Sequence, residues 1–245
     1  MNIRSFRVPR SLQQGALGLA VVATLSACGG GDDDSGTSLP SVGTLTATCS
    51  SLKGQTIGGV SITNTKRIEA HAGTNASGFC QVSATRAPYL DIEVDVPDNW
   101  SGRLWHQGGG GFDGTIPTAV STDASGVVTA VDPALAQKAA IYAASNGGNR
   151  ANVPAQAAPT VWANGTPEGQ RSGDDYAYAA IGTTLHFAKA LSQAFFAKAP
   201  SHSYFNGCSN GGRNAYIAAQ RWPDEYDGSS PVAKPWTWRA RPLPG

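Results

Sequence analysis

The sequence predicts an α/β fold in which a parallel sheet is covered by helices. Three observations predict it. Leu90 to Val96 alternates strictly between apolar and acidic residues, which is the period of a strand. Asp174 to Lys198 carries Ile181, Leu185, Ala188, Leu191 and Phe195 at spacings of four and three, which is the period of an amphipathic helix. A strand, a tight Gly-rich turn and a second helix follow, and strands alternating with helices favour a parallel sheet.

The 245 residues suit one domain, or one and part of another. The formal net charge of +1 is too balanced for a nucleic-acid binder, which needs a clustered basic face. A hydrophobic content of 40% excludes a disordered chain, while 30 Gly and 15 Pro imply many loops.

The first segment reads as an export signal. Arg4, Arg7 and Arg10 form a basic start, and Gly15 to Leu25 is a short apolar run. That run is too short for a stable membrane span. It ends in Leu25-Ser26-Ala27-Cys28, which resembles a bacterial lipobox and implies lipidation of Cys28, membrane anchorage and residues 1–27 as signal peptide. An ordinary secretory signal with a chance cysteine is the alternative. Residues 28–45 are rich in Gly, Asp, Ser and Thr and read as a flexible tether. In an oxidising compartment cysteines tend to pair. Cys49 and Cys80 are close enough to staple the entry region, where a loop of that size contributes on the order of 3 kcal/mol.

In the strand from Leu90 to Val96, Leu90, Ile92, Val94 and Val96 face a core and Asp91, Glu93 and Asp95 face away, as in a half-buried strand. Pro97-Asp98-Asn99 ends it. Arg103 to His106 is a second strand, and Ala139 to Ala144 a short buried one. Asp174 and Asp175 near the start of the long helix and Lys198 near its end suit the helix dipole, and Pro200 stops it. Ser203 to Asn206 is a strand and Asn214 to Trp222 a helix.

Chemistry concentrates at Gly207-Cys208-Ser209-Asn210-Gly211-Gly212. A Gly-x-Ser-x-Gly motif between a strand and a helix matches a nucleophile elbow, with Ser209 as candidate nucleophile. The helix N-terminus behind it favours the negative charge that develops on attack. A second stretch, His106-Gln107-Gly108-Gly109-Gly110-Gly111-Phe112-Asp113-Gly114, follows a strand upstream. A Gly-rich loop there is positioned to donate a backbone N–H to an oxyanion, with Gly109 and Gly110 as candidates and the Asn210 N–H as the second donor. The loop lacks the Gly-Lys-Ser/Thr ending of a phosphate cradle.

These stretches, with Tyr176 to Ile181 and Ser203 to Gly228, resemble the tannase and feruloyl esterase family of α/β-hydrolases. The resemblance covers about residues 49–228. It implies hydrolysis of aromatic-acid esters such as gallates, ferulates or mono(2-hydroxyethyl) terephthalate, with a small aromatic ester as substrate. It implies no cofactor, beyond a calcium ion in a lid domain that has no counterpart here, so no metal ligand is assigned. It also implies that Cys208 pairs with a cysteine directly before the catalytic histidine, and no partner for it is found in this chain.

Departures from the family are equally specific. His71, His106, His186 and His202 all precede Ser209, whereas the triad order places the acid and the histidine after the serine. His106 reads as a support for the Gly-rich loop, and His202 starts the strand that feeds the elbow, pointing away. Asp224 and Asp227 read as a solvated helix end and turn. Asn146 and Asn149 stand where relatives carry an Asp-x-Gly-His pattern, which puts a polar role for that loop in doubt. Residues 229–245 are Pro-rich with two tryptophans and no acid. They are expected to form an aberrant tail, from a frameshift or a truncated gene model, with a genuine short tail as the alternative. On this reading the α/β-hydrolase fold is incomplete and lacks sheet strands past the elbow. The chain is expected to be marginally stable and inactive for want of a base. The competing function is a non-catalytic exported lipoprotein that binds aromatic or carbohydrate ligands through Trp236 and Trp238.

Overall fold

A computed structural model describes residues 39–70, 73–150 and 165–232. The signal peptide, Cys28, His71 and residues 233–245 with Trp236 and Trp238 lie outside the described residues.

Ser41 starts the described fold by accepting a hydrogen bond from the Thr44 N–H, which caps α1 (Val42–Ser51). Leu45 and Cys49 are its buried residues. The expected tether at residues 28–45 therefore overlaps the helix. Its small polar residues gave no amphipathic period, and the helix is held by the two residues it buries and by the Cys49–Cys80 disulfide. That disulfide is the predicted one, and it fits an oxidising compartment. No helix among the described residues is long and apolar enough to cross a membrane.

An eight-stranded sheet follows. Its strands are β1 (Thr56–Ile57), β2 (Val60–Ile68), β3 (Phe79–Arg86), β4 (Leu90–Pro97), β5 (Arg103–Gln107), β8 (Ile141–Ser145), β9 (His202–Cys208) and β10 (Gly228–Val232). The spatial order is β1-β2-β3-β4-β8-β5-β9-β10. Strands β8, β5, β9 and β10 run parallel, as predicted, but β1 to β4 form an antiparallel meander joined antiparallel to β8.

Three helices cover one face: α1, α4 (Ala180–Phe196) and α5 (Asn210–Arg221). They bury Leu185, Leu191, Phe195 and Ala215 against Ile92, Val94, Leu104 and Phe205. The other face carries a smaller layer, made by the hairpin β6 (Val120–Thr122) and β7 (Val128–Val131) and by α2 (Pro133–Ala136). There Ala119, Leu135 and Tyr142 pack with Phe79 and Ala144.

That second layer overturns the half-buried reading of β4. Glu93 and Asp95 are 8% and 0% exposed. Asp95 lies opposite Tyr142, and Glu93 opposite Ala144. Among the described residues neither Asp95 oxygen has a hydrogen-bond partner, nor does Glu93 Oε1. Burial pushes both carboxyls above the usual range, and the Glu93 charge pushes Asp95 up further.

The long helix also differs from its sequence reading. It begins seven residues earlier, as α3 (Pro167–Asp174), where Thr166 caps the Gly169 N–H. It continues through a π-helical segment, Asp175–Ala179, into α4. Asp174 and Asp175 therefore sit inside the helix. Asp175 is buried and paired with Arg86, which also donates to Thr183 at 2.8 Å. The helix ends at Phe196, with Ala197 in the left-handed region, so Lys198 lies beyond it.

A strand does form after the elbow. β10 pairs in parallel with β9 from Gly228↔Tyr204 to Val232↔Cys208. Ser229 anchors it by donating to the Ala215 carbonyl at 2.7 Å. Pro231 is tolerated because β10 is the last strand of the described sheet and pairs on one side only. The boundary drawn at Gly228 is therefore early by at least four residues.

The buried carboxyls make stability pH-dependent. Their folded values lie above the ordinary 4.5 and 3.8, so the native state holds protons that the unfolded chain has released. Stability is full below those ordinary values and falls as pH rises toward the folded ones, by about 1.4 kcal/mol per pH unit for each such proton. Buried His106, held at about 3, contributes the opposite slope below its ordinary 6.5, so the variant is compared with the native chain at each pH. Asp95→Asn should raise the thermal midpoint over that of the native chain by more at neutral than at acidic pH, and a difference that does not grow with pH contradicts the assignment.

Candidate active site

Ser209 sits between β9 and α5 with φ 55° and ψ −117°. A side chain rarely adopts that region, and serine there is strained unless its surroundings hold it. The side chain is exposed and its hydroxyl has no hydrogen-bond partner among the described residues. α5 begins at Asn210, four residues earlier than its apolar period suggested, so Ser209 is the residue that caps it. The free N–H groups of the first turn therefore open beside the serine.

The glycines of the motif are explained by backbone contact. A Cβ on Gly207 would stand 2.4 Å from the Gly211 carbonyl carbon and oxygen. One on Gly211 would stand 2.8 Å from the Gly109 carbonyl oxygen, and one on Gly108 would stand 2.8 Å from the Gly211 Cα. The loop after β5 and the elbow thus pack backbone on backbone. The Gly108 N–H donates to the Asn206 carbonyl at 2.8 Å and locks the loop to β9. The Gly109 and Gly110 N–H groups, expected as donors, have no acceptor among the described residues.

A polar network tightens the same junction, and apart from the Asn210 N–H the sequence reading had given its members no role. The Asn210 side-chain amide donates to Asp113 at 2.7 Å. Its oxygen accepts from Arg213 Nε at 2.7 Å and from the Tyr176 hydroxyl at 3.1 Å. Arg213 donates to the Tyr176 carbonyl at 2.7 Å and lies 4.3 Å from the Tyr176 ring centre. The π-helical segment carries Tyr176 to this point. Burial raises the Asp113 carboxyl to about 6, against the pull of Asn210 and Arg213. The clue in the sequence was Asp113 within the Gly-rich motif, but only the fold brings Tyr176 and Arg213 to it.

The histidines lie apart from the serine. His106 is buried, bonded through Nδ1 to the Tyr226 hydroxyl at 2.7 Å, and lowered by burial to about 3. It supports the strand beneath the loop. His186 pairs with Glu225, beyond the far end of α5. His202 bonds Ser201 at the start of β9, seven residues and roughly 23 Å of extended strand before Ser209. Asp227 is no solvated turn: it accepts from the Ser203 N–H at 2.7 Å and donates back to the Ser203 carbonyl at 2.8 Å. Cys208 is exposed and has no disulfide partner among the described residues.

The Asn146 loop has a structural role. Asn146 accepts from the N–H groups of Asp91 and Gly148, each at 3.0 Å, and donates to the Tyr89 carbonyl at 2.9 Å. It thereby ties the end of β8 to β4. Asn149 is fully buried, and its amide reaches the Phe112 carbonyl at 3.4 Å.

The family model for tannase and feruloyl esterase matches residues 74–238, more than half of the chain. The chain belongs to the tannase and feruloyl esterase family. An uncharacterized esterase of Agrobacterium fabrum is 31% identical over 143 residues, covering 58% of this chain and 24% of its own length. Mono(2-hydroxyethyl) terephthalate hydrolase of Piscinibacter sakaiensis is 30% identical over 159 residues, covering 61% of this chain and 25% of its own. The crystal structure of feruloyl esterase B from Aspergillus oryzae superposes with a TM-score of 0.56 at 22% identity, over 75% of this chain and 36% of that one. The likeness supports the α/β-hydrolase fold, and carboxylic ester hydrolysis is the activity of the family. The chain spans about a quarter to a third of the length of these relatives.

The interlocked glycines give a direct contrast. Gly211→Ala must push the Gly109 carbonyl away and should cost about 1–3 kcal/mol by overpacking. Gly110→Ala meets nothing within 4 Å and should change stability by less than about 0.5 kcal/mol. Urea unfolding of the two variants measures the difference, and equal effects would show that the loop does not press on the elbow.

Proposed function

We propose that Ser209 is the nucleophile of a serine carboxylic-ester hydrolase acting on esters of aromatic acids through an acyl-enzyme. The observation that carries this reading is the strained backbone of an exposed serine at a strand-to-helix turn whose Gly211 packs on the Gly-rich loop. Ser209 Oγ attacks the ester carbonyl carbon, and the alcohol leaves with a proton. The negative oxygen is received by the N–H of Asn210 and by that of Gly109 or Gly110. Water then attacks the acyl carbon, releases the acid and restores the serine hydroxyl. The names of the curated relatives support the aromatic-ester class.

A base is required to take the Ser209 proton, and among the described histidines His106, His186 and His202 are each held away from it by the partners given above. The described residues thus offer a nucleophile without its base, and we expect little or no turnover from them. Export belongs to the same proposal, with lipidation at Cys28 anchoring the chain to a membrane. The Cys49–Cys80 disulfide supports the oxidising compartment.

Methyl ferulate hydrolysis tests the reading. The 245-residue chain should match its Ser209→Ala variant at background. A chimera that supplies the C-terminal region of a family member should turn over, and Ser209→Ala should lower that rate by at least about 10³-fold. Turnover by the 245-residue chain at the rate of an intact esterase, lost in Ser209→Ala, would refute the missing base. A chimera indifferent to Ser209→Ala would refute the nucleophile.

A further inference from the structure

We propose that a cleft on the sheet face opposite α4 and α5, lined by Arg103, Trp105, Lys138 and Tyr204, binds a single-ring aromatic carboxylate. Parallel pairing sets Trp105 directly beside Tyr204, with ring centres 6.5 Å apart. Both rings are half-buried, while their strand neighbours Leu104, His106, Ser203 and Phe205 are buried. His202 lies parallel to Tyr204, with planes 2° apart and centres separated by 6.3 Å, and extends the aromatic strip.

Charge selects the ligand. The Lys138 ammonium lies 5.0 Å from the Trp105 ring centre. Arg103 lines the same cleft and is exposed. Neither cation has an ion-pair partner among the described residues, and no carboxylate lines the cleft. Two unneutralised cations beside two aromatic walls complement a ligand that joins an anion to a flat ring. A neutral sugar would leave both cations unmatched, and a free phosphate would leave both rings unmatched. The cleft holds about 240 Å³, below the roughly 300–1,000 Å³ of drug-sized sites, which limits the ligand to one substituted ring.

The cleft is separate from the elbow. Tyr204 precedes Ser209 by five residues of extended chain, roughly 16 Å. The proposal therefore stands or falls independently of Ser209 catalysis.

Ligand-observed NMR titration of the 245-residue chain with sodium 4-hydroxybenzoate tests it. A ligand this small should bind with a Kd in the roughly millimolar range. Lys138→Ala and Arg103→Ala should each weaken binding about threefold, as exposed charge pairs do, and the double variant should weaken it further. Both side chains are exposed, and far-ultraviolet circular dichroism confirms that the variants fold. 4-Hydroxybenzyl alcohol, which keeps the ring, and cyclohexanecarboxylate, which keeps the charge, should both bind more weakly than 4-hydroxybenzoate. Ser209→Ala should bind 4-hydroxybenzoate unchanged. Absent binding, binding unaffected by the double variant, or binding lost in Ser209→Ala would overturn the proposal.

Discussion

Backbone packed on backbone is the constraint on which the site depends. Gly108 and Gly109 of the loop after β5 press against Gly211 of the elbow, and Gly207 packs on Gly211 from within the elbow, at distances that leave no room for a Cβ on Gly108, Gly207 or Gly211. This contact sets the height of the loop over α5. It also confines the turn between β9 and α5, which holds Ser209 at a positive φ that it would not adopt alone. The Gly109 and Gly110 N–H groups of the same loop have no acceptor among the described residues, which is what the proposed role of receiving an oxyanion requires of them.

The rest of the fold serves that interface. Parallel strands β8, β5 and β9 align the loop and the elbow at one end of the sheet. His106 beneath the loop stays neutral because burial holds it near 3, so it fills space without placing a charge under the site. The π-helical segment is fixed by the Asp175 pair with Arg86, and it delivers Tyr176 to Asn210 and Arg213. Asp113 closes the network from the loop side. A local irregularity in a long helix therefore becomes a second clamp on the elbow.

The elbow was legible because its chemistry is local: a Gly-x-Ser-x-Gly motif between a strand and a helix restricts what the backbone can do. The Cys49–Cys80 bridge was legible from the compartment implied by the leader. Features created by long-range packing were not legible. Glu93 and Asp95 alternate with apolar residues as solvent-facing positions do, and only the β6–β7 hairpin and α2 bury them. α1 has no apolar period, and its order derives from a cap, a disulfide and one leucine. The π-helical segment leaves the apolar spacing of α4 intact, so periodicity alone missed it. Pro231 argued against a strand, but β10 pairs on one side only among the described residues, which accommodates it.

Family membership and the strained turn both support the proposed role of Ser209, and the Trp105 cleft is proposed as a separate binding surface. The central claim is that Ser209 is held in strain by the glycine contact for the sake of its hydroxyl. Urea unfolding of Ser209→Gly against Ser209→Ala measures this most directly. Both lose the hydroxyl, but only glycine adopts the positive φ freely. The account predicts that Ser209→Gly is more stable than Ser209→Ala by about 1 kcal/mol or more. Equal stabilities, or a more stable alanine variant, would contradict it.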